Sequence, residues 1–173
     1  MLESIASLLS SLHLDSFVGS YDWVWPLCEI LHFTGMAVLI GTVGVVDARI
    51  LGIGKGIPIK ALERFIPLGV IAFFVNLTTG FIFIAGNTPA DPMEYLGNLS
   101  LQLKMLFVLI AGLNLLAFYV TGIAKRVEGL DADATAPTGA KVVAAISLVA
   151  WFGVIFLGRM IMYNDTLLYA LGL

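Results

Sequence analysis

The sequence predicts an all-α membrane protein: a transmembrane four-helix bundle preceded by a short amphipathic interfacial helix, with both termini on the outer, periplasmic side. Three observations predict it. The 173 residues are 60% apolar and only 12% charged, whereas soluble domains carry about a quarter charged residues. Four apolar stretches each reach the roughly 20 helical residues that a hydrocarbon core requires. Seven of the nine Lys and Arg residues fall at alternate connections between those stretches.

Residues 1–20 form the interfacial segment and 21–173 the membrane domain. In the leader, Leu2, Ile5, Leu8, Leu9 and Leu12 share one helical face against Ser4, Ser7, Ser10 and Ser11, the pattern of a helix lying on a membrane surface. It has no basic start and too many serines for a secretory signal. The spans are expected at about 24–46, 65–85, 101–123 and 141–163. Backbone groups in lipid must bond within their own segment, which favours helices. Runs such as IAFFVNL and MLFVLIAGL lack the alternation of a membrane barrel strand. Tyr21, Trp23 and Trp25 at one rim, with Tyr163 and Tyr169 at the other end of the chain, suit aromatic interface anchors.

Charge orients the bundle. Arg49, Lys55, Lys60 and Arg64 lie between the first two spans, and Lys125, Arg126 and Lys141 between the last two. The segment before the first span has no Lys or Arg, and the connection 86–100 has only Asp91 and Glu94. Short basic loops stay cytoplasmic, so the chain is read as a multi-pass protein of a bacterial inner membrane. Asp47 and Arg49 at the end of the first span, with Arg64 at the start of the second, are expected to form a salt bridge at the cytoplasmic rim, and the polar loop 128–139 to be a mobile connection.

Small residues mark where helices approach in lipid. Candidates are Ala37, Gly41, Gly44 and Ala48 in the first span, and Gly69, Ala72, Asn76, Thr79 and Gly80 in the second. Ala111, Gly112, Asn114 and Ala117 follow in the third, and Ala144, Ser147, Ala150 and Gly153 in the fourth. Asn76 and Asn114 are expected to bond across helices.

The informative residues are those lipid rejects, since a charge at a helix centre costs about 2.5–3.5 kcal/mol on insertion scales. Cys28, Glu29 and His32 crowd one sector of the first span. Lys104, Arg159, Thr78 and Thr79 reach the same outer level from the other three spans, and the inner half offers no equivalent. Each has an ordinary reading: Lys104 and Arg159 snorkel, Cys28 fills space, His32 packs, and Glu29 neutralises a cation. Their joint occurrence makes a cofactor site the leading expectation. His32 supplies an axial ligand to haem b, with Lys104 and Arg159 on its propionates and Glu29 orienting the ring. A copper or other metal ion on His32 and Cys28 is the alternative. Met36, Met105 and Met160 are further candidate ligands, and His13 is the only other histidine. Proton or small-ion movement and a purely structural subunit complete the readings.

No catalytic constellation is visible, so the chain is not expected to be an enzyme by itself. Its net charge of −3 gives no basic surface for nucleic acid. One cysteine excludes an internal disulfide. GIGKGIP reads as a helix end, not as a phosphate loop. The expected partners are the lipid bilayer and either further copies of the chain or a larger membrane complex.

The runs EILHFTGMAVLIGTVGVVDARILG, NLTTGFIFIAG and LQLKMLFVLIAGLNLLAFY resemble a family of small bacterial four-helix inner-membrane proteins, distantly similar to copper-resistance D-type membrane proteins. The resemblance covers about residues 24–123 and rests on His32, Gly35, Asp47, Arg49, Thr79, Gly80 and Lys104. It brings no activity of its own. Through the wider copper-resistance and haem-cytochrome group it implies metal or haem handling by a membrane histidine. The chain departs from bis-histidine haem cytochromes in lacking a second intramembrane histidine. The expected function is a haem- or metal-binding protein associated with electron transfer; the alternative is a non-catalytic assembly subunit or homo-oligomeric scaffold.

Overall fold

Lipid-compatible backbone bonding and the apolar runs give one kind of element, and the computed structural model, which describes residues 2–86 and 91–172, has helices and no strands among them. In chain order the helices are α1 (Leu2–Ser10), α2 (Leu14–Ser20), α3 (Val24–Leu51), α4 (Ile59–Glu63), α5 (Ile66–Ala85) and α6 (Pro92–Gly97). They continue as α7 (Leu99–Val120), α8 (Ile123–Glu128), α9 (Thr138–Met160), a 3-10 turn (Ile161–Tyr163) and α10 (Asn164–Leu171). Four stretches are long and apolar enough to cross a membrane: Val24–Leu51, Ile59–Ala85, Leu99–Val120 and Thr138–Leu171. Four crossings return the chain to one end, here called the terminal end; the other, bearing most of the Lys and Arg, is the basic end. Positions 87–90 of the expected acidic connection lie outside the described residues.

The boundaries differ from the sequence reading where capping decides them. The first span runs on to Leu51 and stops at Gly52, whose φ of 104° suits glycine. The backbone N–H of Ile53 then bonds Ala48 O at 2.9 Å. The third begins at Leu99, capped by Asn98 Oδ1 accepting from the Leu101 N–H at 3.1 Å. The expected single leader helix is two, broken at His13 with φ 51°. After the fourth span the chain turns into α10, a helix the sequence reading did not place. It is held where Asn98 Nδ2 donates to Ile161 O at 3.0 Å and the Ser100 N–H to Asn164 Oδ1 at 3.2 Å.

α3 packs against α5 and α9, and α7 packs against α9, while α5 and α7 share no packed seam. α3 and α9 are therefore the inner pair. The small residues of α5 and α9 meet neighbours as expected: Gly69, Ala72 and Thr79 are buried, as are Ala144, Ser147 and Ala150. Those of α3 do so only in part: Ala37 and Gly41 are exposed, while Gly44 and Ala48 are half-buried and a Cβ at Gly44 would touch Leu148 of α9. The buried face of α3 is instead Cys28, His32, Gly35 and Leu39, because its polar side chains must face protein. Two close approaches fix the α3–α5 register. A Cβ at Gly35 would collide with Asn76 Nδ2, and one at Gly69 would stand 2.5 Å from Thr42 Oγ1. Asn114 Nδ2 bonds across to Val143 O at 3.0 Å as expected, but Asn76 Nδ2 turns to Ala72 O of its own helix at 2.9 Å.

The basic end is closed by an apolar cluster of Val46, Ile50, Ile59, Val127, Ala136, Ala140 and Ala144. The expected Asp47–Arg49 rim pair does not form. Arg49, only 2% exposed, donates Nε–H to Ile57 O at 2.8 Å and a second N–H to Ala132 O. Ala132 O also accepts from the Gly56 N–H at 3.1 Å. One arginine thus ties the α3–α4 turn to the α8–α9 loop, and the loop expected to be mobile is pinned, with Ala136 buried. A guanidinium's planar fork spreads its donors, so that one buried side chain reaches carbonyls of two separate loops. Among the described residues the one ion pair is Lys60–Glu128 at 3.4 Å, on the surface.

Arg49→Met should therefore cost about 3 kcal/mol, since hydrogen bonds from a charged donor contribute roughly 1.5–3 kcal/mol each. It should also open residues 129–137 to protease. Lys60→Ala should change stability by no more than about 1 kcal/mol. Unfolding in detergent with limited proteolysis reads both, and equal effects would refute the clamp.

Candidate functional site

α3 enters the bundle at Val24 with Pro26 in its first turn, where no intrahelical donor is lost. One helical turn apart, Cys28 and His32 then fall on the same side, and both are buried. His32 lies about 12 Å along the helix at 1.5 Å per residue. Its ring meets α5: Nδ1 stands 2.8 Å from Thr79 Oγ1, the ring centroid is 5.2 Å from that of Phe83, and a Cβ at Gly80 would sit 3.6 Å from Cε1. Thr79 Oγ1 is within 2.8 Å of Val75 O and 3.2 Å of Asn76 O. A hydroxyl carries one proton, and these carbonyls take it. With its proton on those carbonyls the oxygen is an acceptor for His32 Nδ1–H, and that tautomer would leave Nε2 as the ligating nitrogen.

Of the residues the sequence singled out, the structure joins His32 to Thr79 and leaves Lys104 near enough for its charge to act on the imidazole. Lys104 reaches from α7 across Gly158 of α9, where a Cβ would stand 3.3 Å from Nζ. Its charge is the one acting on His32, and among the described residues it has no ion-pair partner. Cys28 sits one turn nearer the terminal end, packed with Val18, Val24, Trp25, Ile82 and Phe83. Glu29 points outward and accepts from Trp25 Nε1 at 3.1 Å, so Thr79 orients His32 and Glu29 does not. Arg159 also faces outward, 5.3 Å over the Tyr163 ring and 3.4 Å from its hydroxyl. Thr78 is exposed and donates to Phe74 O at 2.9 Å. Met105 and His13 are exposed and lie away from His32.

Among the described residues, two buried side-chain oxygens have no hydrogen-bond partner, Asn76 Oδ1 and Asp47 Oδ2. Asn76 lies just below Thr79 on α5 and extends the polar line inward. Asp47 is in the basic half, where the sequence reading placed no polar site. Its burial could have been suspected from spacing: Leu39, Val46, Asp47 and Ile50 recur at helical intervals on one side of α3.

These features define a small helical membrane protein with a histidine–threonine–lysine cluster in its terminal half. Comparison of the chain with family models, with curated proteins and with solved structures finds no match in any of the three.

The donor set discriminates between the expected cofactors. A bare metal ion fits poorly: Cys28 and His32 offer two donors, and no group of three His, Cys, Asp or Glu side chains is present among the described residues. The Lys104 ammonium also repels a cation at His32. A planar, anionic macrocycle fits these charges better, with Nε2 as ligand and Lys104 as partner of a carboxylate. A second axial histidine from the same chain is excluded, because His13 lies on the surface turn before α2.

Thr79→Val should strand the Nδ1–H in an apolar site and cost about 1–3 kcal/mol. Nitrogen-15 NMR of labelled histidine reads it directly. The wild type should show a dominant Nδ1–H tautomer that Thr79→Val mixes; an Nε2–H tautomer in the wild type would contradict the assignment.

Proposed function

We propose that this chain is a haem-binding protein of a bacterial inner membrane, associated with electron transfer, whose site lies in the outer leaflet and is centred on His32. The observation that carries the reading is the His32–Thr79 bond at 2.8 Å inside the bundle. Ligating histidines are held by a bond to the other ring nitrogen, which fixes the tautomer and aims the free lone pair. Lys104 supplies the cation for a propionate, and bound haem would supply one-electron chemistry. The resemblance of residues 24–123 to small bacterial inner-membrane proteins supports the same reading. So does the charge pattern, which sets Lys55, Lys60, Arg64, Lys125 and Arg126 on the cytoplasmic side and both termini outside. The second axial position is left to a neighbouring chain or stays open.

A second reading has its own support. Only Ser100, Leu101 and Ala111 of α7 are buried, so most of that helix is left for lipid, another copy or a partner. A non-catalytic assembly subunit would use it so.

Absorption of protein purified from haem-replete membranes separates the two. The haem reading expects a Soret band that His32→Ala abolishes and Lys104→Ala weakens, while Glu29→Ala and Arg159→Ala leave it intact. A colourless protein with no bound metal, and oligomers unaffected by His32→Ala, would establish the assembly reading instead.

A further inference from the structure

The basic half holds an ionisable group that the His32 site does not use. Asp47 lies fifteen positions after His32 on α3, about 22 Å along the axis, so the two are separate. The carboxyl is 7% exposed, and its Oδ2 has no partner. Ser147 of α9, itself buried, is the polar side chain set beside the carboxyl. The charges on the elements around it are committed or distant. Arg49 is taken by Ile57 O and Ala132 O, and Lys60 of α4 by Glu128. Glu63 of α4 and Lys141 at the start of α9 form no ion pair with it. α5 carries no charged residue at all.

An ionised carboxylate in this setting would be a buried charge with one hydroxyl beside it and one bare oxygen, which a low-dielectric interior does not tolerate. Protonation resolves it, because the carboxyl then carries no charge. A merely structural role predicts a counter-cation or a second donor, and neither is there. Intramembrane carboxyls without cations are characteristic of proton-handling positions. The basic end of α3 is four residues further on, and Ile50, Ala140 and Ala144 lie in the apolar cluster that closes it.

We propose that Asp47 and Ser147 form a proton-binding site in the basic half of the bundle, where the Asp47 carboxyl carries a proton and exchanges it with the aqueous phase at that end. The step is plain acid–base exchange: the O–H bond of the carboxyl breaks, the proton passes to water, and no electrons move. It makes α3 a helix with one site at each level, a ligand-type histidine near the terminal end and a proton-carrying acid near the basic end.

Infrared spectroscopy of the full chain in lipid vesicles tests it. The wild type should show the C=O stretch of a protonated carboxyl at neutral pH, shifted in heavy water and absent from Asp47→Asn. Ser147→Ala should shift the frequency of that band, because it removes the hydroxyl beside the carboxyl. As an independent readout, dicyclohexylcarbodiimide should modify Asp47, as mapped by mass spectrometry, and the yield should fall about tenfold per pH unit once the carboxyl has ionised. Absence of an Asp47-dependent band overturns the proposal, as does a band that heavy water leaves unmoved. Suppression of the labelling by sodium at constant pH overturns it in favour of a bound cation. If Asp47→Asn does not fold, the heavy-water shift and the site of labelling in the wild type still decide.

Discussion

The molecule turns on how closely α3 can approach α5. Helices in lipid gain little from hydrophobic burial, so their association depends on backbone proximity and on polar groups that find partners. At Gly35 and Gly69 there is no room for a Cβ, and Asn76 and Thr42 fill the space it would take. That proximity brings Thr79 to His32 at 2.8 Å. The same register leaves α9 to cover the other side of α3, which is how Ser147 comes to Asp47. A single packing contact thus sets both polar levels of the bundle.

The polar groups then divide according to what each side chain can reach. Lys104 and Arg159 look alike in the sequence, two long cations near one end of their helices. Arg159 has a tyrosine one turn on and an open surface, so its guanidinium lies over the Tyr163 ring. Lys104 begins on the side of α7 that faces α9, and Gly158 offers a bare backbone for its stem to cross. The same logic separates Glu29 from His32. Glu29 is captured from the outer surface by Trp25, one turn before it, while His32 is on the side that meets α5.

Much of the fold was legible because composition and the membrane leave few choices. A run such as IPLGVIAFFVNLTTGFIFIA can only be a spanning helix. The stripe on α5 was legible too, since Gly69, Ala72, Asn76 and Thr79 are small or polar at helical spacing. The α3 stripe was only half legible, because Ala37 and Gly41 are small without being buried while Gly44 meets Leu148 of α9; on that helix Cys28, His32 and Asp47 set the phase. The clamp by Arg49 was not legible. It joins residues 83 apart in sequence, and local patterns carry no information about which distant carbonyl a side chain will find. α10 escaped for a related reason, since its docking depends on Asn98 and Ser100 at the start of α7.

Arg49 and Asp47 show how proximity in sequence can mislead about charge. Two residues apart on a helix, their side chains leave the axis about 200° apart, so a rim salt bridge would require one of them to double back. The arginine is long enough to leave the helix and reach loop carbonyls, and its charge is spread over donors that those carbonyls satisfy. The aspartate is short and stays beside the backbone, so it takes whatever α9 presents at that level, and Ser147 presents one hydroxyl. A cation that finds its partners and an acid that finds only one follow from the same two positions. The difference in side-chain reach is what turns an apparent ion pair into a closed basic end with a carboxyl enclosed behind it.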